Sequence, residues 1–237
     1  ATIRYYYRIA EPGTFLYHCH VEATEHMQMG MIGNLYVLPK QNNLPSQTFP
    51  NGYVHRQGVS KYAYNDGDGS TAYDVEAAIQ VTGFDRNFHE QHIAVQPLPF
   101  AALADDYVML NGRGYPDTVD PAPLSSPSAN PSYPSQPVHS IVTAAAGQKI
   151  LLRLSNVSES DFHTLTVLGI PMRVVGKDAR LLRGPTGRDL SYTTTSVTLG
   201  GGETMDVILD TGPIDDRPGV APGPSVLDST RLNQLSN

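Results

Sequence analysis

Apolar and polar positions alternate in short runs over residues 75–212, the period-two pattern of strands with one buried face. In residues 149–154, Ile150, Leu152 and Leu154 share a face. Leu165 and Val167 do so in residues 164–168, and Met205, Val207 and Leu209 repeat the pattern after the glycines at 200–202, which read as a hairpin turn. Residues 75–81 and 138–142 complete a set of short strands. No window of helical length carries a convincing 3.6-residue period. Short strands at this spacing predict an all-β sandwich of antiparallel sheets.

The texture changes along the chain. Residues 1–40 are dense in aromatics, His and Met, whereas the stretch from 41 to 74 is polar and turn-rich. The predicted division is the C-terminal part of one β domain over residues 1–48, a linker over 49–74 and a second β domain over 75–237. Prolines 116, 121, 123, 127, 131, 134 and 137 remove ladder donors, so residues 116–137 read as a long Pro-rich loop inserted at the surface. Residues 213–237 hold little core-forming material.

Composition narrows the function. The 237 residues carry a formal net charge of -7 with no basic cluster, which argues against nucleic acid as a partner. No apolar run approaches the ~18–20 residues of a membrane span. The 21 Gly and 19 Pro favour turns, hence strands. A single Cys excludes an internal disulfide framework. No Ser/His/Asp order, phosphate-cradling Gly loop or Cys-x-x-Cys signature is present.

The chemistry sits around that lone Cys19, which has a His on either side and is followed by His26 and by Gly30-Met31. Thiolate, imidazole and a weak thioether are the ligands of a blue-copper electron-transfer site. Zinc also accepts Cys and His, but copper accounts better for the flanking histidines. Side chains alternate faces along a strand, so His18 and His20 should point one way and Cys19 the other. One strand then serves two metal sites with only covalent backbone between them.

At these residues, Gly13-Thr14-Phe15-Leu16-Tyr17-His18-Cys19-His20 with His26 and Met31, the sequence resembles the multicopper oxidase family. The resemblance implies Greek-key cupredoxin domains, with Cys19 and His26 as type 1 copper ligands and Met31 as the axial ligand. Met27 and Met29 are rival sulfurs. It implies His18 and His20 as ligands of a trinuclear type 2/type 3 copper cluster that reduces O2 to water, with electrons from a phenolic or metal-ion substrate. No His precedes His18 and no other His-x-His exists, so the chain reads as a fragment. A missing N-terminal segment or a neighbouring subunit would complete the copper sites. Residues 109–116, 147–156 and 160–167 resemble a middle domain of the family in which only His163 remains where copper-bearing domains show His-x-His. The second domain is therefore expected to hold no copper. The alternatives are a copper nitrite reductase, against which His20 argues, and a non-catalytic blue-copper carrier. A free Cys and copper chemistry fit a periplasmic or extracellular place.

Weaker candidates remain. His89 and His92 are expected on a loop, as surface residues or lining a substrate or metal-ion approach. His55 and His139 read as ordinary. Asp66 and Asp68 hint at calcium, but Thr71 stands where that loop needs Gly. Glu22 and Glu25 read as solvated carboxylates, proton relays or contacts for a cationic substrate.

Overall fold

The computed structural model describes residues 2–94, 98–124 and 135–212. Residues 125–134 of the expected Pro-rich loop and the 213–237 tail lie outside the described residues. The main elements are β1 (Gly13–His18), α1 (Ala23–Gln28), β2 (Ile32–Val37), β3 (Val75–Phe84), α2 (Arg86–Ala94), β4 (Tyr107–Leu110), β5 (Lys149–Asn156), β6 (His163–Thr166), β7 (Met172–Lys177), β8 (Ser196–Leu199) and β9 (Thr204–Asp210). The fold is an all-β sandwich. A seven-stranded sheet runs β7-β9-β5-β3-β4, with the short strands Arg180–Leu181 and Tyr192–Thr194 both against β7. The smaller layer pairs β6 with β8, Leu165 opposite Val197.

The alternating residues do what their period demands. Ile150, Leu152, Leu154, Leu165, Val207 and Leu209 meet in one buried cluster between the layers. Their opposite faces are buried as well: residues 204–209 of β9 are all buried. That second burial comes from the stretch expected to be a linker. Ala63, Tyr64 and Tyr73 pack on Leu151, Val175 and Ile208, covering the outer face of the large sheet. His55 is fully buried there, its ring nitrogens 2.9 Å from Tyr62 Oη and 2.8 Å from Leu44 O. Asp66 accepts hydrogen bonds from Gln41 Nε2 at 2.7 Å and from the Asp68, Gly69 and Thr71 amides, while Asp68 pairs with Arg183. These carboxylates are engaged in holding a loop, which leaves the calcium reading without support.

Four further expectations need correction. The β3–β5 pair is parallel, Val75 opposite Ile150. β4 runs back toward the start of β3, and the chain then crosses to β3's other side and enters β5 in β3's direction. Residues 138–142 form no strand; they are an extended connection in which Ser140 Oγ donates to Leu110 O and Val142 is buried. The 200–202 turn is no hairpin: it carries the chain from β8 in one layer to β9 in the other. Residues 86–94 are helical rather than looped, because Asp85 Oδ1 accepts the Phe88 amide at 2.9 Å as an N-cap and Phe88 is buried.

Candidate metal centre

β1 and β2 form a two-stranded ribbon in register from Gly13 opposite Val37 to His18 opposite Ile32. Its base is bolted to the outer face of the large sheet. There Arg153 of β5 lies directly opposite Asp206 of β9, both almost fully buried. Thr14 Oγ1 donates to Asp206 Oδ1 at 2.6 Å, Arg153 Nη1 donates to Thr14 Oγ1 at 3.3 Å, and Thr204 Oγ1 donates to Thr14 O at 2.9 Å. Tyr64 Oη also donates to Asp206, Glu76 pairs with Arg153, and the Tyr36 ring of β2 lies 5.8 Å from the guanidinium. Burial beside that carboxylate pushes the Tyr64 phenol far up, so it acts as a donor.

At the other end of β1 the ribbon opens into a loop. The Cys19 amide donates to Met31 O at 3.1 Å, and the Met31 amide donates to His26 O at 2.9 Å. These two backbone bonds gather Cys19, His26 and Met31. Cys19 Sγ is 3.1 Å from His26 Nδ1, and the Val21 amide points at the same sulfur from 3.4 Å. The hydrogen bond with His26 is the main cause that lowers the Cys19 thiol below its ordinary range, and the same bond raises the His26 imidazole. The rings of His18 and His20 stack on each other instead, centroids 4.8 Å apart at 23°. His18 Nδ1 lies 2.7 Å from Cys19 O, a contact it makes as donor, which leaves Nε2 with a free lone pair.

The donor set fits copper as far as it goes. A thiol of lowered pKa and an imidazole nitrogen converge within one hydrogen-bond length, the pairing that copper's mixed preference for sulfur and imidazole asks for. Among the described residues, no three His, Cys, Asp or Glu side chains converge as a closed metal cage. The Met31 side chain is exposed, though its backbone is fixed at the site.

Residues 1–41 match the multicopper oxidase family, and residues 86–218 match it again. The chain belongs to the multicopper oxidase family. Its fold is cupredoxin-like. It is similar to the blue copper oxidase of Nitrosomonas europaea at 20% identity and a TM-score of 0.54, over 87% of this chain and 48% of that one. It is also similar to the multicopper oxidase mgLAC at 18% identity and a TM-score of 0.52, over 85% of this chain and 46% of that one. The laccase of Botrytis aclada matches at 19% identity and a TM-score of 0.49, over 85% and 29%. The chain thus spans less than half the length of these structures. No curated protein matches it by sequence.

The remaining histidines of this multicopper oxidase lie elsewhere. His163 is buried on β6, its Nε2 2.8 Å from Ser158 Oγ, and burial lowers its pKa. His139 is exposed. His89 stacks near Phe84, centroids 4.0 Å apart, and burial lowers its pKa too. His92 Nδ1 abuts the carboxylate of Glu25. Glu25 is therefore buried against His92, while Glu22 is exposed, 3.8 Å from His26 Nε2. Sequence reasoning missed Gln28, Asp105 and Glu159. Gln28 Nε2 donates to Glu159 Oε2 at 2.9 Å and to Asp105 Oδ1 at 3.3 Å. Burial pushes the Glu159 carboxyl up to about 7. A cleft of about 420 Å³ lies here between the two units, lined by His18, Met27, Glu159, Asp161 and Phe162 among others.

Proposed function

We propose that this chain supplies the thiol-bearing part of a laccase-like multicopper oxidase. The whole enzyme couples one-electron oxidation of phenolic or metal-ion substrates to reduction of O2 to water. Cys19 and His26, with Met31, would hold a type 1 copper, and His18 and His20 would belong to the trinuclear type 2/type 3 cluster. Bound copper supplies one-electron redox chemistry at the first site and O2 reduction at the second. The observation that carries this reading is the separate partnering of adjacent side chains: the thiol meets His26 while the rings of His18 and His20 stack together.

The chain's own residues explain the coupling. Both cluster histidines are covalent neighbours of Cys19. His18 also bonds Cys19's carbonyl at 2.7 Å, which fixes its ring and adds a second path to the same peptide. The bonds from Cys19 to Met31 and from Met31 to His26 hold the loop closed, so the ligands need little rearrangement on a change of charge. A segment N-terminal to this chain, or a neighbouring subunit, supplies the remaining histidines. The second domain is read as holding no copper, because His163 stands alone there, with no His-x-His pair beside it. Its place is periplasmic or extracellular. Among the described residues no helix is long and apolar enough to cross a membrane.

Copper analysis of the protein made from its whole coding region tests this. Four coppers per complete site and an intense blue colour are expected, with Cys19→Ser abolishing the colour and leaving three coppers. Unchanged visible absorption in Cys19→Ser overturns the reading. Two coppers per site point to a nitrite reductase, and one to a carrier.

A further inference from the structure

The helix that carries His26 cannot place itself. α1 has six residues, its N-cap Glu22 is left-handed at φ 52°, and no side chain caps it. A helix this short gains little from its own hydrogen bonds, so contacts outside it decide where it stands. Those contacts come from one face. Glu25 and Gln28, three apart and hence on one side, are its buried residues. Gln28 is 5% exposed and its amide is used at both ends. Nε2 donates to Glu159 and Asp105, and Oε1 accepts the Asp85 amide at 3.4 Å. All three partners belong to the second domain. Each residue turns an α-helix by about 100°, so Gln28 stands about 200° around from His26. The amide plugs into the second domain while the imidazole faces the thiol.

We propose that Gln28 is a positioning residue of the type 1 site. It touches no ligand atom, but it fixes from the non-copper domain where His26 stands against Cys19. This rests on the reading of Cys19 and His26 as copper ligands. Glu25 and His92 brace the same face, but a charge beside His26 makes Glu25 a poor probe. Gln28 is neutral and can be exchanged with its partner. Gln28→Glu removes the amide donor and, above the Glu159 pKa of about 7, sets a third carboxylate against Asp105 and Glu159. The Gln28→Glu/Glu159→Gln exchange restores one donor and one acceptor across the contact, and Glu159→Gln alone closes the cycle.

The readouts are the visible spectrum and reduction potential of the copper-loaded protein, and the rate of Cys19 alkylation in the copper-free protein. Gln28→Glu is expected to shift the spectrum and potential and to speed alkylation about tenfold, the ratio that loss of one charge-assisted hydrogen bond carries. The exchange should bring each readout most of the way back. If Gln28→Glu does not fold, Gln28→Met, similar in shape but unable to bond, takes its place with the same expectation. A variant that loses thermal stability yet keeps wild-type spectrum, potential and thiol rate overturns the proposal. Cys19→Ser separates the two claims: a blue Cys19→Ser protein refutes the ligand assignment itself. A bleached Cys19→Ser beside an unaltered Gln28→Glu refutes only the positioning role.

Discussion

Glu159 is a carboxyl whose proton the fold holds up to about pH 7, and the cause is burial outweighing the Gln28 hydrogen bond, with Asp105 adding repulsion. Its folded pKa of about 7 lies above the ordinary Glu value. The unfolded chain therefore releases this proton first as pH rises, and stability falls between the two values and stays lower above them. Glu159→Gln cannot ionise. We expect its urea midpoint to change less between pH 4.5 and 7 than that of the wild type, and a parallel pair of curves refutes the assignment. Little of this was legible in the sequence. Cys19, His18 and His20 announce themselves because their chemistry is rare and adjacent. Glu159 matters only because residues 28 and 105 reach it, and no spacing in the chain reveals such a meeting.

At the level of elements, strands were easier to read than helices. The alternation of β5 and β9 is visible because one face fills the core. α2 carries no apolar stripe, and its start depended on reading Asp85 as a cap. α1 is shorter still and is shaped by its ends. Gly30 closes it at φ 88°, its amide on Met27 O at 2.9 Å, and turns the chain so that Met31 meets His26 and Cys19. A Cβ at Gly30 meets nothing within 4 Å, so Gly30→Ala isolates the backbone cost. We expect a loss of about 1–2 kcal/mol in the loop, the usual penalty for a left-handed alanine. Faster amide hydrogen exchange at Cys19 and Met31 by about tenfold measures it; unchanged exchange at both refutes it.

For the whole molecule, the most instructive segment is the one expected to be a linker. A polar, turn-rich composition is what a tether shows, but Ala63, Tyr64 and Tyr73 are buried in it and cover a sheet face that would otherwise meet water. The second fastening is the Arg153–Asp206 pair, invisible in sequence because an Arg on the off-face of an apolar strand reads as solvent-exposed. Removing one partner of a buried pair leaves the other uncompensated. Arg153→Met should cost about 3–5 kcal/mol in urea unfolding, and Arg153→Met/Asp206→Leu distinctly less. Equal losses in both proteins contradict this account. The fastening also has an order in time. Asp206 follows Thr14 by 192 residues. At roughly 5–20 residues per second of translation, the ribosome delivers that carboxylate about 10–40 s after the threonine. Through that interval the base of the ribbon waits for its buried acceptor, and any polypeptide cut short before Asp206 never gains it.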